Sequence, residues 1–262
     1  MIEIAIEAAL EAGKLIKKFA GNVKDIEIKQ GLSTNIVTEI DKESEKLIIN
    51  HLRKNFPTHD FLAEESGSHR VNSEYKWIID PIDGTTNFMH GLPIYCVSIA
   101  LERNGEVVLG VVYDPNQNEL FTAERGKGAF MNDERLKVSK TEKLIDSLVV
   151  TGFPYDIKDN PFHAKEHFIN FLTATQAVRR LGSAALDLAY VAAGRFDGFW
   201  EVKLNPWDMA AAVLLVEEAG GKFSDFLGNP SNIYNPNVLA TNGKIHNEMV
   251  AILKKEIVKT DK

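Results

Sequence analysis

The sequence has very little cysteine. Cys96 is the only cysteine among 262 residues, so no disulfide can form within the chain and a cysteine-rich zinc site is excluded. A reducing compartment suits such a sequence best, and we therefore expect a cytoplasmic protein. We expect Cys96 itself to be a buried apolar side chain, because it lies inside a β-rich run.

Long apolar runs and dense basic runs are also absent. No segment approaches the roughly 20 apolar residues that a membrane-spanning helix requires. Residues 1–20 intersperse apolar and charged side chains, which the apolar part of a secretory signal does not tolerate. The formal net charge is −7, so the broad basic surface of a nucleic-acid-binding protein is not expected. We predict neither a membrane partner nor a nucleic-acid partner.

The apolar residues that are present predict two halves with different patterns. Hydrophobic residues make up 44% of the chain and charged residues 26%, which is typical of a soluble globular protein. Helices over 2–19 and 41–55 precede β-rich runs that include the hairpin 95–113, so the first part reads as α+β with an antiparallel sheet. After about residue 145, strands and helices alternate. We predict two domains, 1–145 and 146–262, the second being α/β with a mixed sheet.

The stretch WIIDPIDGTTNF at 77–88 carries the strongest chemical signal. It places Asp80 and Asp83 at the mouth of a short apolar strand, where two carboxylates repel each other unless a cation compensates them. Gly84 permits a backbone geometry that other residues resist, and Thr85 adds a hydroxyl beside free amide groups. The loop could therefore hold cations and a phosphate together.

Two further acids also stand where a predicted element begins or ends. Glu64 follows the apolar stretch 61–63, and Asp208 lies in the first turn of a helix that Asn205 can cap. Carboxylates supplied by separate loops are what Mg²⁺ requires, because it prefers hard oxygen ligands and keeps several waters. Each acid also has a local explanation, as a turn residue, a solvated acid or a partner of the helix dipole.

Three segments resemble the signatures of the inositol monophosphatase family. They are LAEES at 62–66, WIIDPIDGTTNF at 77–88 and NPWDMAAAVLLVEEAGG at 205–221. They occur in the family's order and spacing, and the resemblance covers essentially the whole chain. Residues 181–201 are particularly similar to the bacterial members. The resemblance implies a layered αβαβα sugar-phosphatase fold, a homodimer and a lithium-sensitive, Mg²⁺-dependent phosphatase.

The resemblance also implies a role for each matching residue. Glu64, Asp80 and the backbone carbonyl of Ile82 would bind a first metal ion. Asp80, Asp83 and Asp208 would bind a second.

The remaining matching residues would activate the attacking water and bind the substrate. Thr85 would act with Glu64 on the attacking water, so that Glu64, Asp80 and Thr85 are the candidate catalytic residues. The positions that would contact the substrate are Gly84, Thr85, Ser183, Ala184 and Glu201. Lys29 matches a family lysine beside the metal site less securely.

The expected reaction is hydrolysis of a sugar or polyol phosphate monoester by direct attack of water. Inositol 1-phosphate is the leading substrate, with fructose 1,6-bisphosphate, NADP and phosphoadenosine phosphate as alternatives within the superfamily. Glu201 favours a polyol over a nucleotide. Two metal ions would activate water and stabilise the leaving oxygen.

Four alternatives of other classes have less support in the sequence than a metal-dependent phosphatase. A haloacid-dehalogenase-type phosphatase uses a D-x-D-G-T loop, whereas this chain has D-x-x-D-G-T from Asp80. A serine or cysteine hydrolase lacks its elbow pattern around Ser183. His163 and His167 have metal-ligand spacing on one helix, but a solvated face explains them better. Finally, a noncatalytic regulator of an RNA-handling complex could keep the fold.

Overall fold

The computed structural model describes residues 1–22, 26–28 and 36–255. Seven α-helices occur in these ranges: α1 Ile2–Phe19, α2 Glu39–Asn55, α3 Thr85–Met89, α4 Ala164–Ala174, α5 Ala184–Ala192, α6 Pro206–Glu218 and α7 His246–Leu253. Short 3-10 helices are Leu144–Asp146, Ile157–Asp159 and Pro161–His163. The strands are β1 Ile26–Ile28, β2 Ile36–Thr38, β3 Asp60–Ala63, β4 Gly67–His69, β5 Tyr75–Asp83, β6 Cys96–Arg103, β7 Glu106–Asp114, β8 Glu119–Glu124, β9 Gly128–Met131, β10 Glu134–Arg135, β11 Leu148–Thr151, β12 Ala177–Arg179, β13 Gly198–Glu201, β14 Lys222–Ser224 and β15 Val238–Thr241.

The strands form two large sheets and one small one. Eight strands pair in the order β10-β9-β8-β7-β6-β5-β3-β4, and five pair in the order β12-β11-β13-β15-β14, while β1 and β2 form a separate pair. The first sheet is antiparallel, as predicted, except that β3 and β5 are parallel. They point the same way because β4 folds back beside β3 at the sheet edge before the chain enters β5. The second sheet is mixed, as predicted.

The helices and sheets stack in five layers. Alternate residues of a strand face opposite sides, so Trp77 and Ile79 of β5 pack with α1 and α2, whereas Ile78 packs with α5 and α6. The five-stranded sheet lies beyond α5 and α6, through Val150 and its neighbours. Its outer face packs against α4 and α7. The αβαβα layering implied by the resemblance is confirmed.

The boundary proposed at residue 145 falls between the two large sheets. Strand β10 ends at Arg135 and β11 begins at Leu148. Helix α6 comes from the second half of the chain, yet it packs against β5, β6 and β7 of the first sheet. The two halves therefore share a core, and their description as separate domains stays a proposal.

Several predicted element ends shift by a few residues. Helix α2 starts at Glu39, two residues early, because the Thr38 hydroxyl accepts hydrogen bonds from the amides of its first turn. Strand β5 runs on to Asp83 instead of ending at Asp80. The sequence also predicts helices over 162–175 and 245–257. The first begins only at Ala164 and the second ends at Leu253, while residue 257 lies outside the described residues. Lys29 also lies outside them. None of the described helices combines the length and apolarity needed to cross a membrane.

Candidate metal and phosphate site

A cavity of about 430 Å³ opens where the ends of β3, β5, β11 and β13 meet the first turns of α3, α5 and α6. Eight of the ten residues predicted for the site line it: Glu64, Asp83, Gly84, Thr85, Ser183, Ala184, Glu201 and Asp208. The other two, Asp80 and Ile82, are buried and do not reach its wall. The fold thus brings segments far apart in the sequence to one place.

Asp80 and Asp83 lie on one strand, but the strand is not regular between them. Asp80 is opposite Ser98 and Asp83 is opposite Cys96, so three residue steps on β5 match two on β6. In a regular strand, residues three apart face opposite sides, and the inserted residue of a β-bulge corrects this. Burial raises the pKa of Asp80 well above its usual range, and the charges of Glu64 and Asp83 raise it further.

Asp83 is held by the start of α5. Its Oδ2 accepts hydrogen bonds from the Ser183 hydroxyl at 2.6 Å and from the Ala185 amide at 2.7 Å. Burial raises the pKa of Asp83 to about 6, although these donors oppose the shift. The Ser183 hydroxyl, expected to contact a sugar, therefore orients a predicted metal ligand in this structure. Cys96 is fully buried beside the pair, as predicted, with its Sγ 3.9 Å from Asp83 Oδ2.

The Thr85 hydroxyl reaches an acid that was not predicted from the sequence. Its Oγ1 lies 3.1 Å from Asp41 Oδ1 and 3.0 Å from the carbonyl oxygen of Ile82. Asp41 is fully buried, and burial raises its pKa to about 6. Gly84, just before Thr85, has a φ of 96°, and a Cβ there would come within 2.9 Å of the Ile94 carbonyl oxygen. The turn therefore requires glycine for both conformation and space.

The start of α6, which lies where the sequence predicts it, positions the Asp208 side chain. The backbone amide of Asn205 donates to Asp208 Oδ2 at 2.6 Å, and this hydrogen bond completes a capping box. Pro206 is the first residue of α6. Asp208 nevertheless faces the other acids. Burial raises its pKa well above the usual range, and Glu64 and Asp83 add to the shift.

Two further acids, Glu201 and Asp187, line the cavity. Glu201 ends β13, and burial with the charges of Asp208 and Asp83 raises its pKa to about 8. Asp187 lies in the first turn of α5 with both carboxylate oxygens buried and without a hydrogen-bond partner among the described residues. Burial raises the pKa of Asp187 well above the usual range, and Glu201 contributes.

The residues around the cavity fit a hard divalent cation. Their ligand atoms are carboxylate and carbonyl oxygens, which suit Mg²⁺, Ca²⁺ or Mn²⁺ and not soft metals. Among the described residues, no three His, Cys, Asp or Glu side chains already converge to form a complete ligand cage. Mg²⁺ does not need one, because it keeps several waters and is usually bound by one or two carboxylates together with substrate phosphate. Cations here would stabilise the charged forms of these acids, whose pKa values are raised by burial and by neighbouring negative charges.

Asp41 and Asp187 were missed in the sequence for different reasons. Asp41 is the third residue after Thr38 in a T-x-x-D pattern, a helix-capping signal that gave no hint of the contact with Thr85. Asp187 follows Ser183 in an apolar helix, where one acid is a visible anomaly. The predicted solvated face of His163 and His167 is wrong for His167, which is buried and packs edge-on against a phenylalanine.

Comparison with known proteins agrees with this arrangement. A family model described as the inositol monophosphatase family matches residues 1–258. An inositol-1-monophosphatase of Mesorhizobium japonicum is 43% identical over 98% of this chain and 97% of its own. A protein of Salmonella typhimurium named Nus factor SuhB is 44% identical, with the same coverage. The solved structure of an inositol monophosphatase from Anabaena superposes with a TM-score of 0.85 at 44% identity, covering 96% of this chain and 94% of that one.

Proposed function

Because the chain belongs to the inositol monophosphatase family, we propose that it hydrolyses a sugar or polyol phosphate monoester with Mg²⁺, inositol 1-phosphate being the preferred substrate. One observation carries the proposal. Burial raises the pKa values of Asp80, Asp83 and Asp208 beside a cavity of substrate size, and the charge of Glu64 raises all three further. Such repulsion is relieved when cations bind between the acids, and bound cations attract a phosphate dianion that the bare acids would repel.

The metal-binding residues would divide between two ions. Glu64, Asp80 and the Ile82 carbonyl would hold one, and Asp80, Asp83 and Asp208 the other. When bound, the ions supply positive charge that activates water and stabilises the phosphoryl group and the leaving oxygen. The buried position of Asp80 and the hydrogen bonds on Asp83 restrict their rotamers, so these ligands are preorganised.

The pair formed by Thr85 and Asp41 is suited to receive the proton of the attacking water. The Thr85 hydroxyl donates its hydrogen to Asp41. The lone pairs of Thr85 Oγ1 can then accept a hydrogen bond from water. A base works best when its pKa lies near the operating pH, and burial raises the pKa of Asp41 to about 6. As the proton of water passes through the Thr85 hydroxyl to Asp41, the water oxygen would form its bond to phosphorus. The ester bond would break with its electron pair on the alcohol oxygen, which takes up a proton from solvent water.

Five residues would recognise the substrate around the reacting phosphorus. The amides of Gly84 and Thr85 would bind phosphate oxygens. Glu201 and the segment of Ser183 and Ala184 would face the hydroxyls of the leaving polyol. Sensitivity to Li⁺ at millimolar concentration, a homodimeric state and a cytoplasmic location belong to the same proposal, as the family membership suggests.

A phosphate-release screen tests the proposal directly. Purified protein with Mg²⁺ would be given inositol 1-phosphate, fructose 1,6-bisphosphate, NADP and phosphoadenosine phosphate. We expect the highest kcat/KM for inositol 1-phosphate and no turnover in the presence of a chelator. Preference for a nucleotide would contradict the role given to Glu201, and turnover that survives chelation would contradict the metal site.

A second candidate function is that of a regulatory protein in an RNA-handling complex. It is favoured by the name Nus factor SuhB, which relatives at 42 to 44% identity carry. The two candidates are compatible, because a partner surface does not require the cavity. Variants that lose turnover but keep the fold would separate them: a regulatory role would survive Asp208→Asn, whereas a phosphatase role would not.

A further inference from the structure

Gly152 and the Glu201 carboxylate occupy neighbouring positions at the ends of two parallel strands. Thr151 of β11 pairs with Trp200 of β13. The residues that follow them in the chain, Gly152 and Glu201, therefore also lie side by side. A Cβ placed on Gly152 would stand 2.3 Å from both carboxylate oxygens of Glu201 and 2.5 Å from its Cδ. No side chain at position 152 can coexist with the carboxylate in this position.

The backbone does not require glycine here. The φ angle of Gly152 lies outside the left-handed region, unlike that of Gly84, so an alanine could adopt the same conformation. The strand ends are also held together independently of Gly152, because the Thr151 hydroxyl donates to the Trp200 carbonyl. The three atoms nearest to the hypothetical Cβ all belong to Glu201. What glycine provides at this position is room for that carboxylate.

The Glu201 side chain is buried among charged residues of the cavity wall. Only 7% of the residue is exposed. Burial and the negative charges of Asp208 and Asp83 raise its pKa, and the positive charge of Arg180 lowers it. A carboxylate pushed away from position 152 must move within the cavity and leave the position it occupies in this structure. Because it is the end of a flexible side chain that would move, the fold itself should tolerate the change.

We propose that Gly152 is a positioning residue that sets substrate specificity: its missing side chain holds the Glu201 carboxylate where it accepts hydrogen bonds from the hydroxyls of a polyol leaving group. This inference rests on the proposed phosphatase function. It predicts that a side chain at position 152 weakens recognition of the polyol. Binding of the phosphate should be unchanged, because it would involve the Gly84 and Thr85 amides and the metal ions held by the other acids.

The variant Gly152→Ala tests the inference with two esters. Inositol 1-phosphate presents hydroxyls to Glu201, whereas phenyl phosphate presents none. We expect the ratio of kcat/KM for inositol 1-phosphate to kcat/KM for phenyl phosphate to fall about ten- to hundredfold, the effect of losing a hydrogen bond to a charged group. Most of the change should appear in KM for inositol 1-phosphate. The melting temperature should stay near that of the unsubstituted protein.

A double-mutant cycle shows whether Gly152 acts through Glu201. The substitution Gly152→Ala would be added to Glu201→Ala, which removes the carboxylate, and there it should leave the ratio unchanged. An unchanged ratio in the single variant Gly152→Ala, or an equal fall in both backgrounds, would overturn the inference. Failure of the proposed function looks different, since the unsubstituted protein would then release no phosphate from inositol 1-phosphate.

Discussion

Two groups of acids in this protein differ in the charges that surround them. Outside the cavity, each acid accepts hydrogen bonds from two donors: Asp60 from the amides of Val71 and Ser73, Glu45 from those of Glu65 and Ser66, and Asp197 from the Leu148 amide and the Ser139 hydroxyl. Around the cavity, Asp187 has no donor among the described residues. Asp80, Asp83 and Asp208 do accept hydrogen bonds, but burial and the charges of neighbouring acids still raise their pKa values.

The difference separates acids that stabilise the fold from acids that are ready for a ligand. A buried carboxylate with enough donors has its charge compensated by the protein itself. A buried carboxylate among like charges raises the free energy of the folded state until a cation arrives. Substituting one acid from each group should therefore give opposite patterns of stability and activity.

The largest effect is expected for Asp208→Asn. Loss of one metal ligand should lower kcat about a hundredfold or more, because a catalytic metal contributes several kcal/mol to transition-state stabilisation. The melting temperature in a chelator should hold or rise, since one member of a repelling group becomes neutral. Steady-state kinetics and thermal unfolding on the same preparation would measure both. Near-normal kcat with a stability loss of about 0.3 to 1 kcal/mol would instead identify a helix-dipole role.

Next in size is the loss of stability expected for Asp197→Asn. An amide offers one acceptor oxygen where the carboxylate served two donors, so a buried donor is left unpaired at a cost of about 1 to 3 kcal/mol. Urea unfolding would measure this cost, and kcat should remain close to that of the unsubstituted protein. A fall in kcat similar to that of Asp208→Asn would break the distinction between the two groups.

A smaller effect is expected in the pH dependence of the metal-free protein. Burial together with Asp208 and Asp83 raises the pKa of Glu201 from 4.5 to about 8. The folded state then binds this proton more tightly than the unfolded state, so stability falls as the pH rises from 4.5 to about 8. Glu201→Gln should flatten this slope in chelator-treated samples. An unaltered slope would mean that Glu201 is compensated like the acids outside the cavity.

The smallest effect concerns His246, a buried residue outside the cavity. Its ring nitrogens lie 3.0 Å from the Ser224 hydroxyl and 2.9 Å from the Thr241 hydroxyl, and burial with Lys222 lowers its pKa to about 4. Here the unfolded state binds the proton more tightly, so stability falls as the pH drops from 6.5 to about 4, opposite in sign to Glu201. Comparing urea midpoints of the unsubstituted protein and His246→Gln across this range would isolate the contribution. Parallel pH profiles for the two proteins would contradict it.

Local sequence was enough to predict most elements and to single out Glu64, Asp83, Gly84, Thr85 and Asp208, whereas Ser183, Ala184 and Glu201 were predicted only from the family resemblance. The start of α6 follows from Asn205, Pro206 and Asp208, because helix capping depends on residues within one turn. The five-layer fold and the assembly of the site could be predicted only from the resemblance to a family, because local sequence patterns do not show which loops lie together in space. Element ends were less predictable, as β5 shows by running on to Asp83.

What the sequence determined by itself was the set of acids and the elements that carry them. Tertiary structure alone decided how those acids are paired. The bulge between Asp80 and Asp83 depends on β6, the Thr85 contact with Asp41 joins residues 44 positions apart, and the space that Gly152 leaves for Glu201 depends on two neighbouring strands. Burial and Coulomb interactions act between residues close in space, so their outcome could not be derived from neighbours along the chain.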